Sequence, residues 1–159
     1  MKKVLFGGSF DMLHAGHVEV LNKAKIYGDY LVVMLVSDER MRFKKHPALP
    51  IYSEEDRRTL IGSLKMVDET IIIKDEPENN IAFKGLKMVK PDVYVRTNEV
   101  NQETLFAELK ICQELDITMI ILDRQPGSRF RSSSKIIKYI LDNFDSNDME
   151  KLIIADETK

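Results

Sequence analysis

The run from Tyr30 to Val36, YLVVMLV, constrains this chain more than any other stretch. Seven apolar residues in succession leave no polar face, which is the pattern of a strand covered on both sides. Gly28-Asp29 stops the element before it and turns the chain into it. Ser37-Asp38-Glu39 ends the strand, and Arg40 to Pro50 reads as a basic, irregular segment. A strand buried on both faces needs helices above and below it, so the rest of the chain must supply them.

It does so by alternation. Val4, Leu5 and Phe6 form a short apolar run that ends at Gly7-Gly8, read as a strand entering a tight turn. Gly16 and the periodic Val18, Val20, Leu21 and Ala24 begin a helix. Ser53 reads as an N-cap, with Asp56 three residues on and Glu54-Glu55 in the first turn, ahead of Leu60, Ile61 and Leu64. Thr70 to Ile73 is a strand, Asp75 to Asn80 a polar loop, and Ile81 to Val89 a helix that Pro91 stops. The strand Asp92 to Val95 follows, then an amphipathic segment over about Asn101 to Leu115 and the strand Ile117 to Leu122. After a loop from Asp123 to Arg131, Ile136, Ile137, Ile140 and Leu141 mark another helix. Asp145 to Asp148 breaks it, and Met149 to Ala155 forms a last short helix. The expectation is an α/β fold, a five-stranded parallel sheet with helices on both faces. The length of 159 residues suits one domain over residues 1–159, with 146–159 a short helical extension.

The charge balance is nearly even, 24 basic against 26 acidic residues, which gives no electrostatic reason to expect nucleic acid or a membrane surface. No apolar run approaches the eighteen or so residues of a spanning helix, and no leader pattern opens the chain. Cys112 is the single cysteine, read as a small core residue in a reducing compartment. The expected location is the cytoplasm.

Chemistry concentrates in one stretch, KKVLFGGSFDMLHAGH, from Lys2 to His17. Ser9, Asp11, His14 and His17 lie between a strand end and a helix start, where an open α/β sheet binds anionic ligands. The helix's first N–H groups are unpaired there, and its dipole favours negative charge. His14 and His17, three apart, share a face if both lie on the helix, and Gly16 between them clears space for a phosphate. One such histidine is usually a cap or a satisfied structural residue. The pair, preceded by Gly-Gly-Ser-Phe-Asp, points to phosphate handling.

Gly8-Ser9-Phe10-Asp11-Met12-Leu13-His14-Ala15-Gly16-His17 resembles the G-x-F-D-x-x-H-x-G-H signature of the nucleotidylyltransferase superfamily, whose fold is cytidylyltransferase-like. The resemblance implies a Rossmann-like three-layer sandwich and extends to about Ile140. It also implies transfer of a nucleotidyl group from a nucleoside triphosphate to a phosphorylated small-molecule acceptor, with release of pyrophosphate. His14 and His17 would bind the phosphates and stabilise the charge that develops on them, assisted by Gly8, Ser9, Phe10, Asp11 and Gly16. Asp11 orients either a histidine or the turn backbone. Mg²⁺ would ride on the nucleotide phosphates. A homodimer follows from the resemblance alone.

Three further segments have a plain reading and a functional one. Lys44-Lys45 is on composition a solvated pair, but the family places a phosphate-contacting lysine in this loop, and Lys44 is the choice. Arg57 is either a surface ion pair with Glu54 or, as in the family's P-x-x-x-R, an acceptor or phosphate contact. Ser132-Ser133-Ser134 is an N-cap with surplus hydroxyls, or, following Arg129 and Arg131, a second phosphate cradle similar to the family's I-S-[ST]-[ST]-x-I. Arg124 stands where cytidylyltransferases open R-T-E-G-I-S-T, although this chain then reads Gln125-Pro126-Gly127-Ser128. Arg96-Thr97-Asn98-Glu99 also departs from the usual Gly-x-Asp turn. The absent R-T-E-G and the adenylyltransferase-like Gly7-Gly8-Ser9-Phe10 favour ATP over CTP. The acceptor is a sugar phosphate, glycerol phosphate or a cofactor precursor such as FMN. The rival reading is a catalytically silent nucleotide-binding regulator on the same fold.

Overall fold

The computed structural model describes residues 1–74, 80–123 and 132–145. Five strands, β1 (Lys3–Gly8), β2 (Tyr30–Val36), β3 (Glu69–Ile73), β4 (Val93–Thr97) and β5 (Thr118–Leu122), form one sheet. Among the described residues six helices accompany them: α1 (Ala15–Lys25), α2 (Asp38–Lys44), α3 (Glu54–Gly62), α4 (Ile81–Val89), α5 (Gln102–Glu114) and α6 (Ser133–Asn143). Every pairing is parallel, in the order β3-β2-β1-β4-β5. The chain winds outward from β1 through β2 to β3, then crosses back to lay β4 on the other side of β1. That reversal leaves a switch point between β1 and β4, beyond whose carboxyl ends ligands bind in such sheets. The Rossmann-like α/β architecture is as the sequence implied.

Side-chain alternation along the strands divides the core in two. Val4 and Phe6 of β1 join Leu31, Val33 and Leu35 of β2 on one face, where Leu21 and Ala24 of α1 and Ile61 of α3 cover them. Leu5, Val32 and Met34 point to the other face, against Ala82 and Leu86 of α4 and Cys112 of α5. Five of the seven residues of β2 are buried, which is what an all-apolar run demands.

Aspartates fix the strand starts. Asp92 takes the amide of Lys3 on its carboxylate at 2.6 Å while its own amide donates to Lys3 O at 2.9 Å. Asp68 does the same with Leu31, at 2.6 and 3.0 Å, and Asp29 with Lys2, at 2.7 and 2.8 Å. Each reciprocal pair ties the entry of one strand to its neighbour and so sets register at the end of the sheet remote from the switch point.

Two local expectations need correction. Gly7-Gly8 is not a turn: β1 continues through both, with Gly8 opposite Leu35 of β2. A Cβ at Gly7 would lie 2.7 Å from Met34 Cε, and one at Gly8 2.8 Å from Phe10 Cε2, so close approach explains these glycines. The segment after β2 is not irregular from Arg40 onward either, because α2 forms there. Ser37 Oγ accepts from Arg40 N at 3.3 Å, Asp38 and Glu39 fill the first turn, and Arg42 and Lys44 the last. Ser37-Asp38-Glu39 thus both ends the strand and caps a helix. The expected helix from Met149 to Ala155 lies outside the described residues.

Candidate active site

The loop joining β1 to α1 is built around two residues in the left-handed region, Phe10 (φ 52°) and Met12 (φ 53°). Such backbone is costly for residues with a Cβ and persists only where surroundings over-determine it. Phe10 is buried, its ring 6.0 Å from that of Phe6 and 5.1 Å from that of His17. The Asp11 carboxylate accepts from Ile51 N at 2.9 Å and Tyr52 N at 3.0 Å, so it holds the backbone that leads into α3. The Asp11 carbonyl accepts from Ser133 Oγ at 2.7 Å, which seats the start of α6 on the loop.

Arg57 is the brace beneath it. Its guanidinium donates to Ser9 O at 2.6 Å, Tyr52 O at 3.1 Å and Asp38 Oδ1 at 2.6 Å, and the residue is 0% exposed. The geometry gives Arg57 a bracing role that neither sequence reading included. Arg57 is not a surface partner of Glu54, whose carboxylate pairs with Lys74, and it does not line the cavity that the other groups share.

His14 is the N-cap of α1, in extended backbone, and its carbonyl accepts from His17 N at 2.9 Å. The two rings stack, centroids 3.7 Å apart and planes within 18° of parallel. His14 therefore precedes the helix instead of lying on it, yet the pair still meets. His17 and Gly16, with Gly8, Ser9 and Phe10, line a cavity of about 770 Å³ at the carboxyl ends of β1, β2 and β4.

Lys44 and Lys45 both reach this cavity, but differently. Lys45 Nζ donates to Ser9 Oγ at 3.0 Å. Desolvation there lowers its pKa, Asp11 opposes the shift and Arg57 reinforces it. Lys44 Nζ instead lies 5.3 Å from the centroid of the Phe43 ring. Lys45, the residue the sequence ranked second, is the one brought to the signature loop. Two lysines in a row at a helix end carry no sequence signal for which will turn inward.

On the far wall the sequence singled out the Arg96-Thr97-Asn98-Glu99 turn but not the partner of Arg96. Arg96 of β4 pairs through Nε with Glu108 Oε2 of α5 at 2.9 Å, and Tyr94 OH donates to the same oxygen at 3.3 Å. Arg96 Nη1 also reaches Gly7 O at 3.4 Å, across the switch point. Burial pushes the Glu108 carboxyl upward against the pull of Arg96. The missed signal was positional: Glu108 stands one turn from Cys112 on the core-facing side of α5, where a charge demands a reason.

Ser132 occupies the N-cap position of α6, Ser133 holds Asp11, and Ser134 is exposed, so this cradle adjoins the loop without lining the cavity. Arg124, Arg129 and Arg131 lie outside the described residues. The donors gathered here, hydroxyl, imidazole and ammonium, suit phosphate oxygens. They do not suit a hard cation, which takes oxygen ligands.

A family model described as cytidylyltransferase-like matches residues 5–144. An FAD synthase of Ferroglobus placidus is 35% identical over 143 residues, 89% of this chain and 89% of that protein. The bifunctional protein HldE of Syntrophotalea carbinolica is 30% identical over 145 residues, 91% of this chain but 28% of HldE, so the match spans only a part of it. Among solved structures, a lipopolysaccharide core biosynthesis protein from Thermoplasma volcanium superposes with a TM-score of 0.63 at 32% identity, over 79% of this chain and 97% of that one. A pantothenate synthetase from Thermus thermophilus, at 12% identity and a TM-score of 0.61, shares the fold alone; the match covers 81% of this chain and 58% of that one.

Proposed function

We propose, from the premise that this chain belongs to the cytidylyltransferase-like family of nucleotidyltransferases, that it moves an NMP group from ATP to the phosphate of a small-molecule acceptor. The observation that carries this reading is the stacked His14–His17 pair at the start of α1, its second ring in one cavity with Ser9 and Lys45.

An acceptor phosphate oxygen attacks the α-phosphorus. The bond from that phosphorus to the bridging oxygen of the β-phosphate breaks, and its electron pair leaves with pyrophosphate. The attacking oxygen is already ionised, so no strong general base is needed. Catalysis is then positioning and stabilisation of charge. His14 and His17 hold the phosphates at the positive end of α1. Lys45 and Ser9 take the oxygens beside them, and the start of α6, seated on Asp11 by Ser133, adjoins the same loop. Mg²⁺ would be carried by the nucleotide's phosphates and would neutralise part of their charge, because the donors of the site suit phosphate oxygens and not a hard cation.

ATP is favoured by the adenylyltransferase-like Gly7-Gly8-Ser9-Phe10 and by the missing R-T-E-G, and the FAD synthase relative agrees with it. The test is calorimetric titration with Mg-ATP and Mg-CTP, followed by pyrophosphate release with phosphorylated acceptors. ATP-dependent release supports the reading, CTP-dependent release corrects the base alone, and binding without release for any acceptor favours the silent regulator.

A further inference from the structure

We propose, resting on that reading, that Arg96 takes a substrate phosphate at the switch point, and that Glu108 is its positioning residue, a buried carboxylate that acts only through the arginine. Arg96 is the next-to-last residue of β4 and lines the same cavity as Ser9, His17 and Lys45. Its side chain is 17% exposed, and Nη1 reaches Gly7 O of β1 at 3.4 Å, two residues before Ser9. The guanidinium therefore spans the two strands between which such sheets bind ligands.

The bonds that Arg96 makes leave donors over. A guanidinium carries five N–H groups in a rigid fork. Among the described residues Arg96 meets two acceptors, and neither contact is a short, straight hydrogen bond. The one to Gly7 O is long, and Nε, 2.9 Å from Glu108 Oε2, does not direct its N–H at that oxygen. Glu108 thus holds Arg96 by charge, and the fork keeps donors for phosphate oxygens, which its planar geometry matches.

Glu108 is placed to aim the arginine and not to touch the ligand. Although it borders the cavity, it is 2% exposed, and the layer around it is otherwise hydrophobic. Burying a carboxylate there is costly unless its bonds are used. Arg96, Tyr94 OH at 3.3 Å and the Asn80 side chain use them. Asn80 is fixed in turn, because its Oδ1 accepts from Ala82 N at 3.0 Å as the cap of α4. Residues of β4, α4 and α5 therefore converge on one carboxylate, and among the described residues its charged partner is Arg96. An apolar side chain would fill this layer; what the carboxylate adds is a fixed aim for the guanidinium. Its own charge repels a phosphate, so the cation between them makes the contact.

The experiment is a double-mutant cycle on the full chain, read as pyrophosphate release with Mg-ATP and Mg-CTP against sugar phosphates, glycerol phosphate and FMN. Glu108→Gln and Arg96→Met should each lower kcat/KM on the order of 100-fold, as misplacing or losing a phosphate donor does. Arg96→Met/Glu108→Gln should fall no further than Arg96→Met, because Glu108 then has nothing left to position. Losses that multiply mark Glu108 as a structural residue and overturn the inference, with nucleotidyl transfer left standing. Arg96→Lys keeps the charge that Glu108 faces but not the fork, and it decides the matter if a member of the cycle fails to fold. It should melt near wild type and lose at least about tenfold in kcat/KM. Wild-type kcat/KM in a folded Arg96→Lys protein overturns the inference as well. A wild-type chain that binds nucleotide and releases no pyrophosphate with any acceptor overturns both.

Discussion

The imidazoles of His14 and His17 lie face to face, 3.7 Å between centroids, although only one of them belongs to a helix. His14 caps α1 and His17 is its third residue, so one turn of backbone brings them together. The Phe10 ring lies 5.1 Å from that of His17, tilted against it. The two rings are thus packed in place before any ligand arrives, and preorganisation of this kind is what phosphate chemistry draws on.

His17→Ala removes one donor from that arrangement without touching the sheet. Turnover should fall on the order of 100- to 1000-fold, while circular dichroism and the melting temperature stay close to wild type. A folded His17→Ala protein with wild-type pyrophosphate release would refute the assignment of the site.

What the sequence made legible was whatever repeats with a period or sits at a cap. The all-apolar Tyr30–Val36 run became β2 with the same ends, Ile81–Val89 became α4 with the same ends, and Ser53 accepts from Asp56 N as its spacing required. Long-range choices were not legible. Nothing local says that Arg57 turns under the loop to reach Ser9, forty-eight residues earlier, or that Glu108 meets Arg96. Both residues share a signature visible only in retrospect, a charge on the buried face of a helix, one turn before Ile61 and one turn before Cys112. The Lys44–Lys45 choice hinged on a helix end that the sequence had read as irregular chain.

Arg57→Met should therefore act on stability first. It leaves Ser9 O and Tyr52 O without their donor and Asp38 without its ion pair, and breaking a buried pair from one side costs about 3–5 kcal/mol. Chemical denaturation read by circular dichroism measures this directly. A loss below about 1 kcal/mol, with activity nonetheless lowered, would restore Arg57 to the phosphate-contact role.

Gly8→Ala should damage the site where Gly7→Ala does not. The new Cβ at Gly8 would press on Phe10 Cε2 at 2.8 Å and Cζ at 3.1 Å, and that ring is held between Phe6 and His17. Overpacking of this sort costs about 1–3 kcal/mol, and the displaced ring disturbs His17. At Gly7 the clash is with Met34 Cε, the free end of a flexible side chain. Paired kcat/KM and melting measurements should show Gly8→Ala impaired in both and Gly7→Ala in neither to the same degree.

The alkaline limb of activity separates the two lysines. Desolvation over Ser9 lowers the pKa of Lys45, with Asp11 opposing and Arg57 adding to the shift. Its charge is then lost below the ordinary lysine value of about 10.4. If its ammonium holds phosphate, kcat/KM for the nucleotide falls as pH rises through that lowered value, which belongs to the free enzyme. Stability moves the other way. In this window the unfolded chain binds more protons than the folded one, so unfolding free energy rises with pH while activity declines. Lys45→Arg keeps its charge and should remove the limb; Lys44→Ala should leave it in place. A limb unmoved by Lys45→Arg but abolished by Lys44→Ala would return the phosphate contact to Lys44.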